Sequence, residues 1–271
     1  MKRTLLIPDV HGRTFWRAPV SNALSKSDDT KIVFMGDYLD PYPQEGILPF
    51  DALLIFKEII ALKKAHPENI HLLLGNHDLG YMDRRINVCR RDEENANFIK
   101  RLILDNLSLF DLAWEKPKDG GGSILVTHAG VGKGWLKANE WFFGAVDRPH
   151  ASLFNDALHS SSTNDTRFEE LMETLTDISF YRGEKNANGS LIWADIAEFV
   201  QKSNLFDDFI QITGHTQVTS TPIALGQYTP NVYCLDCQRS FWLEPDGTVT
   251  DTESQNPVEL SSPKEVLSLL L

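Results

Sequence analysis

Five short runs of mainly apolar residues each end directly in a group of polar residues. The runs cover residues 4–7, 32–35, 71–74, 124–126 and 209–212. Continuous apolar runs of about four residues are typical of strands that are buried on both faces. Between them, residues 50–65 and 92–104 carry an apolar stripe at helical spacing, with charged residues opposite. This alternation of strands and helices predicts an α/β layered core.

The rest of the chain is less regular. Short apolar runs at residues 222–225, 232–235 and 240–243, separated by Gly, Pro and Asn, predict antiparallel strands that complete a sheet. Residues 131–195 are rich in aromatic side chains, and we interpret them as an elaboration beside a functional site. The length of 271 residues suits a single domain that spans residues 1–271.

Composition and charge narrow the class of protein. The chain is 42% hydrophobic and 24% charged, which is ordinary for a globular protein with a buried core. Its net charge of −12 argues against broad nucleic-acid binding, which needs a basic surface. An anionic substrate stays open, because bound metal ions reverse the local field. The three cysteines do not indicate a disulfide framework. Since no apolar stretch suits a signal peptide or a membrane span, we expect a cytoplasmic protein without a membrane partner.

The polar groups that follow the five runs contain side chains suited to divalent metal ions. Six of them are candidate ligands: Asp9, His11, Asp37, Asn76, His128 and His215. Ligands of α/β sheets bind outside the carboxyl ends of the strands, where these residues lie. Divalent ions accept carboxylate, imidazole and amide ligands. Two ions about 3.5–4 Å apart would clamp the attacking and leaving oxygens of a phosphoester and acidify bound water. Each group alone is a weak signal, and their joint occurrence in order carries the prediction.

Two further residues suit proton transfer. His77 adjoins Asn76 and could protonate the leaving oxygen, and Asp40 could orient the imidazole of His77.

The ordered motifs resemble the calcineurin-like metallophosphoesterase superfamily. They are Asp9-x-His11, Gly36-Asp37-x-x-Asp40, Gly75-Asn76-His77-Asp78, His128-x-Gly130 and Gly214-His215. The chain looks most similar to the branch of serine/threonine phosphoprotein phosphatases and diadenosine tetraphosphatases. The resemblance implies a four-layer α/β/β/α sandwich with two mixed sheets. It also implies that the first metal is held by Asp9, His11 and Asp37, and the second by Asp37, Asn76, His128 and His215.

The sequence departs from the superfamily pattern at two positions. Pro41 stands where family phosphatases usually carry an arginine that grips phosphate, so this guanidinium must come from elsewhere. The candidates are Arg13, Arg84, Arg85 and Arg182, of which we favour Arg182. Gln217 stands where many members carry a second histidine, which predicts fewer protein ligands on the first metal. We interpret Trp193 as a core residue and Asp195 as a helix cap.

Three functions remain open from the sequence. The leading hypothesis is a dinuclear phosphoesterase that hydrolyses phosphomonoesters, phosphoserine and phosphothreonine in proteins among them, by direct attack of a metal-bridging hydroxide. The alternative is a hydrolase of phosphoanhydrides in dinucleoside polyphosphates or other nucleotides. A third hypothesis, a non-catalytic metal-binding scaffold, is disfavoured because the ligand set is complete. Manganese, iron and zinc all suit these ligands. The expected partner is a phosphorylated small molecule, a nucleotide or a phosphoprotein.

Overall fold

The computed structural model describes residues 2–26, 29–160, 165–200, 202–206, 209–218, 223–224 and 232–258. Within these ranges the chain forms two mixed β-sheets flanked by α-helices. None of the helices in these ranges combines the length and the hydropathy needed to cross a membrane.

The first sheet has six strands. They are β1 (Thr4–Ile7), β2 (Lys31–Phe34), β3 (Ile70–Leu73), β4 (Phe110–Asp111), β10 (Phe241–Leu243) and β11 (Val249–Asp251), in the order β11-β10-β1-β2-β3-β4. The strands from β1 to β4 run parallel to one another, whereas β10 is antiparallel to both β1 and β11. The carboxyl ends of β1, β2 and β3 therefore meet at one edge of the sheet.

The second sheet has five strands. They are β5 (Ala113–Pro117), β6 (Ser123–Thr127), β7 (Phe209–Thr213), β8 (Ile223–Ala224) and β9 (Val232–Cys234), in the order β5-β6-β7-β9-β8. The central strands β6, β7 and β9 are parallel, and the edge strands β5 and β8 are antiparallel to their neighbours.

The prediction for the C-terminal strands is partly wrong. The strands exist, but β9 runs parallel to β7, and β10 joins the other sheet beside β1. Short apolar runs reveal the extended conformation, but they carry little information about which distant strand completes the hydrogen-bond ladder.

Eight α-helices lie in the described part of the chain. They are α1 (Arg17–Lys26), α2 (Pro49–Ala65), α3 (Asn76–Met82), α4 (Ala96–Leu104), α5 (Lys133–Ala138), α6 (Glu140–Phe143), α7 (Ala151–His159) and α8 (Thr166–Leu175). The predicted helix over residues 50–65 is confirmed as α2, whose first residue is a proline, as helix starts favour. The helix predicted over residues 92–104 begins only at Ala96. The carboxylate of Asp92 accepts the backbone N–H of Asn95 at 3.1 Å, and this local turn competes with the helix.

Two hydrophobic clusters show the layers of the fold. Successive residues of β1 point to opposite faces of the first sheet, so Leu5 packs toward the helices and Leu6 toward the second sheet. In the first cluster Leu5 lies with Phe56 of α2, and in the second Leu6 lies with Val126 of β6. Helix α7 packs on the edge strand β5 of the second sheet. The predicted α/β fold with two mixed sheets is confirmed.

Candidate active site

The turns that follow the strands hold their functional residues in an unusual backbone conformation. The φ angles are 44° at His11, 51° at Asp37, 58° at Asp40 and 63° at His215. Positive φ is uncommon for residues other than glycine, and it costs about 1–3 kcal/mol unless the surrounding structure enforces it. Four candidate functional residues share this strained backbone conformation, and the turns that carry them lie close together in the fold.

Two groups of possible metal ligands lie where these turns meet, and together they form the ligand cluster. The first contains His11, Asp37 and His77, and the second contains Asp37, His128 and His215; within each group the ligand atoms lie within 4.8 Å of one another. Asp37 belongs to both groups. Its Oδ2 atom lies 3.6 Å from Nε2 of His11 and 3.5 Å from Nε2 of His128. A carboxylate between two imidazoles is suited to bridge two ions.

Backbone carbonyls orient two of the imidazoles. The Nδ1 atom of His11 lies 2.7 Å from the carbonyl oxygen of Leu39, and that of His128 lies 2.8 Å from the carbonyl oxygen of Met35. A proton on Nδ1 that is donated to a carbonyl leaves the lone pair of Nε2 free for a metal ion. In both residues Nε2 is the atom that faces Asp37.

Asn76 and His215 approach the same atom of His128. The Nε2 atom of His128 lies 2.9 Å from Oδ1 of Asn76 and 3.1 Å from Nδ1 of His215. Three of the predicted ligands, from α3 and from the ends of β6 and β7, therefore converge.

The electrostatics of the cluster suit a divalent cation. Burial lowers the pKa of His11 to about 3, and it also lowers the pKa values of His128 and His215. These imidazoles are therefore neutral, as metal ligands must be. Burial, followed by the charges of nearby carboxylates, raises the pKa of Asp37 well above its usual value. In the described part of the chain, Nε2 of His215 is buried without a hydrogen-bond partner. Buried carboxylates beside neutral imidazoles fit a site whose charge is balanced by bound metal ions.

The turn that carries His215 is held by residues on either side of it. Both carboxylate oxygens of Asp9 accept the backbone N–H of His215, at 2.9 and 3.1 Å. The thiol of Cys234 donates to the carbonyl oxygens of Gly214 and Thr216, at 3.3 and 3.1 Å. The structure thus places Asp9 against the site, although it does not belong to either group of ligand atoms, and its role as a ligand stays a prediction.

Asp78 holds the turn that carries Asp37. Its carboxylate accepts the backbone N–H groups of Asp37 at 2.8 Å, Tyr38 at 3.1 Å and Gly75 at 2.8 Å. Gly75 itself is required by space, because a Cβ atom there would lie 2.2 Å from Oδ1 of Asp37. A role for Asp78 was not predicted from the sequence. Its position in the first turn of α3, just after a strand, is the signal of a capping residue.

His77 and Asp40 form the predicted pair. Nδ1 of His77 lies 2.7 Å from Oδ2 of Asp40, and the hydroxyl of Tyr81 donates to Oδ1 of the same carboxylate. Burial raises the pKa of Asp40 to about 7 and lowers that of His77 to about 3, so near neutral pH the proton of this pair rests on the Asp40 carboxyl, in a hydrogen bond to His77. The His77 ring lies 5.0 Å from the ring of His11, so the pair borders the ligand cluster.

Arg182, the arginine favoured from the sequence as the phosphate ligand, lies beside the ligand cluster. Its Nη2 atom lies 2.8 Å from Oγ1 of Thr216, next to His215, and 3.2 Å from Oδ2 of Asp195. The other oxygen of Asp195 accepts the backbone N–H of Ala197 at 2.9 Å, at the start of the 3-10 helix Ile196–Val200, which confirms the cap.

The other predicted arginines have partners of their own. Arg13 forms two hydrogen bonds of 2.8 Å with the carboxylate of Glu45. Arg85 binds the carboxylate of Asp83 at 2.9 and 2.6 Å, and the exposed Arg84 makes no contact with the ligand cluster in the described chain. The structure therefore does not bring Arg84 or Arg85 to the site, because a carboxylate two residues before Arg85 captures its guanidinium.

Trp193 is a core residue, as predicted, but it also borders the site. It is buried, and its ring lies 5.5 Å from that of His215 in an edge-on arrangement. Arg90 was not among the arginines predicted from the sequence, but its Nε atom donates to the carbonyl oxygen of Asp40 at 3.1 Å.

Comparison with known proteins identifies the class. The model of the calcineurin-like phosphoesterase family matches residues 2–227. The fold resembles the crystal structure of a cold-active protein-tyrosine phosphatase from a psychrophilic Shewanella species, with 17% identity, a TM-score of 0.55, and coverage of 96% of this chain and 81% of that one. It also resembles a protein serine/threonine phosphatase from Saccharomyces cerevisiae, with 17% identity, a TM-score of 0.50 and the same coverage.

The protein is therefore a metal-dependent phosphoesterase in its general class. More narrowly, the chain belongs to the calcineurin-like phosphoesterase family.

Proposed function

We propose that this protein hydrolyses phosphomonoesters at a pair of divalent metal ions. The proposed ligands are Asp9, His11, Asp37, Asn76, His128 and His215. The position of the Asp37 carboxylate between two inward-facing imidazoles, at 3.6 and 3.5 Å, is the observation that carries this proposal. When bound, manganese, iron or zinc ions would acidify water for direct attack on phosphorus and offset the charge of the phosphate.

His77 is the proposed proton donor to the leaving oxygen. Its ring is fixed on one side by the Asp40 carboxylate and borders the ligand cluster on the other. The carboxylate in turn is held by the hydroxyl of Tyr81. Such a fixed imidazole meets the geometric need of general acid catalysis, which requires the donor within hydrogen-bond reach of the leaving group.

Arg182 is proposed to bind the phosphate of the substrate. Its Nε atom is buried and has no hydrogen-bond partner in the described chain, while Nη2 is anchored to Thr216 and Asp195. A guanidinium that is anchored at one atom and has unused donors can form charge-assisted hydrogen bonds with phosphate oxygens.

A second candidate function is the hydrolysis of nucleotides or dinucleoside polyphosphates. The residues before Arg182 favour it, because Phe180 and Tyr181 expose 64% and 42% of their surface, and their rings lie 5.9 Å apart. Exposed aromatic rings next to a phosphate-binding arginine suit the stacking of a base.

The test is a substrate panel with metal-stripped protein. Manganese, iron or zinc is added back singly, and phosphate release is measured from an aryl phosphate, phosphopeptides, nucleotides and diadenosine polyphosphates. We expect turnover of monoesters with at least one metal and none with chelator. The variant His128→Ala should bind less metal and lose activity.

The same panel separates the alternatives. Preferred turnover of the diadenosine compounds would favour the second candidate. Metal binding without turnover of any compound would instead support the non-catalytic scaffold and exclude the proposal.

A further inference from the structure

Arg90 occupies a constrained position beside the proposed proton donor. Its guanidinium carbon lies 3.8 Å from the centre of the Tyr42 ring, and its Nε atom donates to the carbonyl oxygen of Asp40 at 3.1 Å. The Nη1 atom approaches the sulfur of Cys89 at 2.9 Å. The φ angle of Arg90 is 61°, so its backbone shares the left-handed conformation of the site residues.

Tyr42 links this guanidinium to the ligand cluster. The Tyr42 ring stands edge-on to the ring of His11, with 5.1 Å between the centres. The guanidinium of Arg13 also lies 5.1 Å from the centre of the Tyr42 ring, and Glu45 fixes Arg13. Stacking and hydrogen bonding thus fix the plane of the Arg90 guanidinium relative to a proposed metal ligand.

Among the described residues, Arg90 lacks the carboxylate partner that the neighbouring arginines have. Nearby in the sequence, Arg84, Arg85 and Arg91 each form an ion pair with a carboxylate. Across the described ranges, the structure shows no ion pair between Arg90 and a carboxylate, and the carboxylate of Asp40 is bound by other side chains. In the same part of the chain, no hydrogen bond is made by the Nη2 atom of Arg90.

The charge of Arg90 lies next to the proposed proton-donor pair. Its Nε atom is bound to the backbone carbonyl of Asp40, and the carboxylate of the same residue binds His77 at 2.7 Å. Two divalent ions would carry more positive charge than the proposed ligands Asp9 and Asp37 offset, so a fixed cation beside them favours the binding of an anion. A phosphate group is such an anion, and the fork of guanidinium donors matches its oxygens.

We propose that Arg90 binds the phosphate group of the substrate, and so supplies the guanidinium that is missing at Pro41. This inference rests on the proposed function. Arg90 borders the site beside Asp40, the partner of His77, whereas Arg182 borders it beside His215, so the two cations would hold the phosphate between them.

The test is the binding of inorganic phosphate to the manganese-loaded protein, measured by titration calorimetry. We expect Arg90→Ala to weaken phosphate affinity by about 10- to 100-fold, the usual effect of losing hydrogen bonds to a charged group. Arg90→Lys should recover part of the affinity, because it restores the charge but not the fork. The control is Arg84→Ala, since the Arg84 side chain is 79% exposed, and its affinity should equal that of the parent.

Metal content and thermal stability are measured for every variant, so that a structural role of Arg90 is recognised. If Arg90→Ala loses metal or stability, the phosphate affinity of the folded Arg90→Lys variant is compared with that of the parent instead. A weaker affinity supports the inference, and an equal affinity overturns it. If Arg90→Ala keeps its metal and its fold, parental affinity also overturns the inference.

The result is distinguishable from failure of the proposed function. Ester hydrolysis with phosphate affinity that does not depend on Arg90 would overturn this inference alone. Phosphate binding that depends on Arg90, in a protein that hydrolyses no ester, would support the inference and overturn the catalytic proposal.

Discussion

The imidazole of His77 and the carboxylate of Asp40 form a buried hydrogen bond of 2.7 Å at the edge of the ligand cluster. The same imidazole lies close enough to His11 and Asp37 to be a metal ligand itself. Two roles, proton donor and ligand, are therefore compatible with the position of His77. They predict different metal contents when the side chain is removed.

We expect His77→Asn to lower kcat by about 10²- to 10⁴-fold, the usual contribution of a general acid, while both metal ions are retained. Measurement of kcat together with elemental analysis of the purified protein checks this. The matched control is His159→Asn, because His159 forms a similar pair with Asp111 at 3.0 Å outside the site. Loss of one metal ion from His77→Asn would show that the residue is a ligand and contradict the donor role.

Asp40→Asn should lower kcat less than the loss of the imidazole does. An amide still fills the space, but it no longer stabilises a positive charge on His77, so we expect about a 10-fold loss. The metal content should stay that of the parent. An Asp40→Asn variant with parental kcat over the whole pH range would exclude a role of Asp40 in the proton transfer.

Gly75→Ala should abolish metal binding. The φ angle of Gly75 is −100°, which alanine adopts without strain, but the added Cβ would lie 2.2 Å from the carboxylate of Asp37, the proposed bridging ligand. Calorimetric titration of stripped protein with manganese checks this. Gly46→Ala is the control: the position has a positive φ of 69° but open space around it, so it should cost about 1 kcal/mol of stability and leave metal affinity unchanged. Equal metal affinity of both variants would contradict the proposed role of Asp37 as a bridging ligand.

Asp78→Ala should destabilise the fold. The substitution leaves the buried N–H groups of Asp37, Tyr38 and Gly75 without their acceptor. Since each unsatisfied donor costs about 1–3 kcal/mol, we expect the free energy of unfolding to fall by about 3 kcal/mol or more. Urea denaturation checks this, with Asp51→Ala on the exposed face of α2 as the control. A loss similar to that of the control would mean that water replaces the carboxylate.

The strand ends and their order could be predicted from the sequence, because buried parallel strands leave continuous apolar runs and the chemistry follows each run at once. Residues separated by two hundred positions, such as Asp9 and His215, meet for this reason. The pairing of the last strands could not be predicted, since β9 and β10 have similar short patterns yet join different sheets.

The arginines show a second limit. Arg84-Arg85 and Arg90-Arg91 are equivalent in the sequence, as pairs of cations in one irregular segment. Only the structure separates them: Arg85 is captured by Asp83, whereas Arg90 lies on Tyr42. Ion pairing depends on short distances between flexible side chains, which residue spacing does not determine.

His71 provides a titration away from the cluster. Its Nε2 atom is buried without a hydrogen-bond partner in the described chain, and its ring lies 5.9 Å from that of Trp114. Burial, followed by the charges of Lys63 and Lys31, lowers the pKa of His71 from 6.5 to about 4. The unfolded chain therefore binds a proton at this residue below about pH 6.5, whereas the folded protein binds it only near pH 4. Between these values the unfolded state holds more protons, so acid destabilises the fold.

We expect His71→Phe to remove this sensitivity while keeping an aromatic ring against Trp114. Binding of one such proton by the unfolded chain lowers the free energy of unfolding by at most about 1.4 kcal/mol per pH unit. Because the variant lacks this loss, it should become more stable relative to the parent as the pH falls from 6.5 toward 4. Urea denaturation of both proteins in chelator at pH 7.5 and pH 5 measures the change, because metal loss is then the same in each. If the difference between His71→Phe and the parent is independent of pH, the burial of the His71 ring does not lower its pKa in the folded protein.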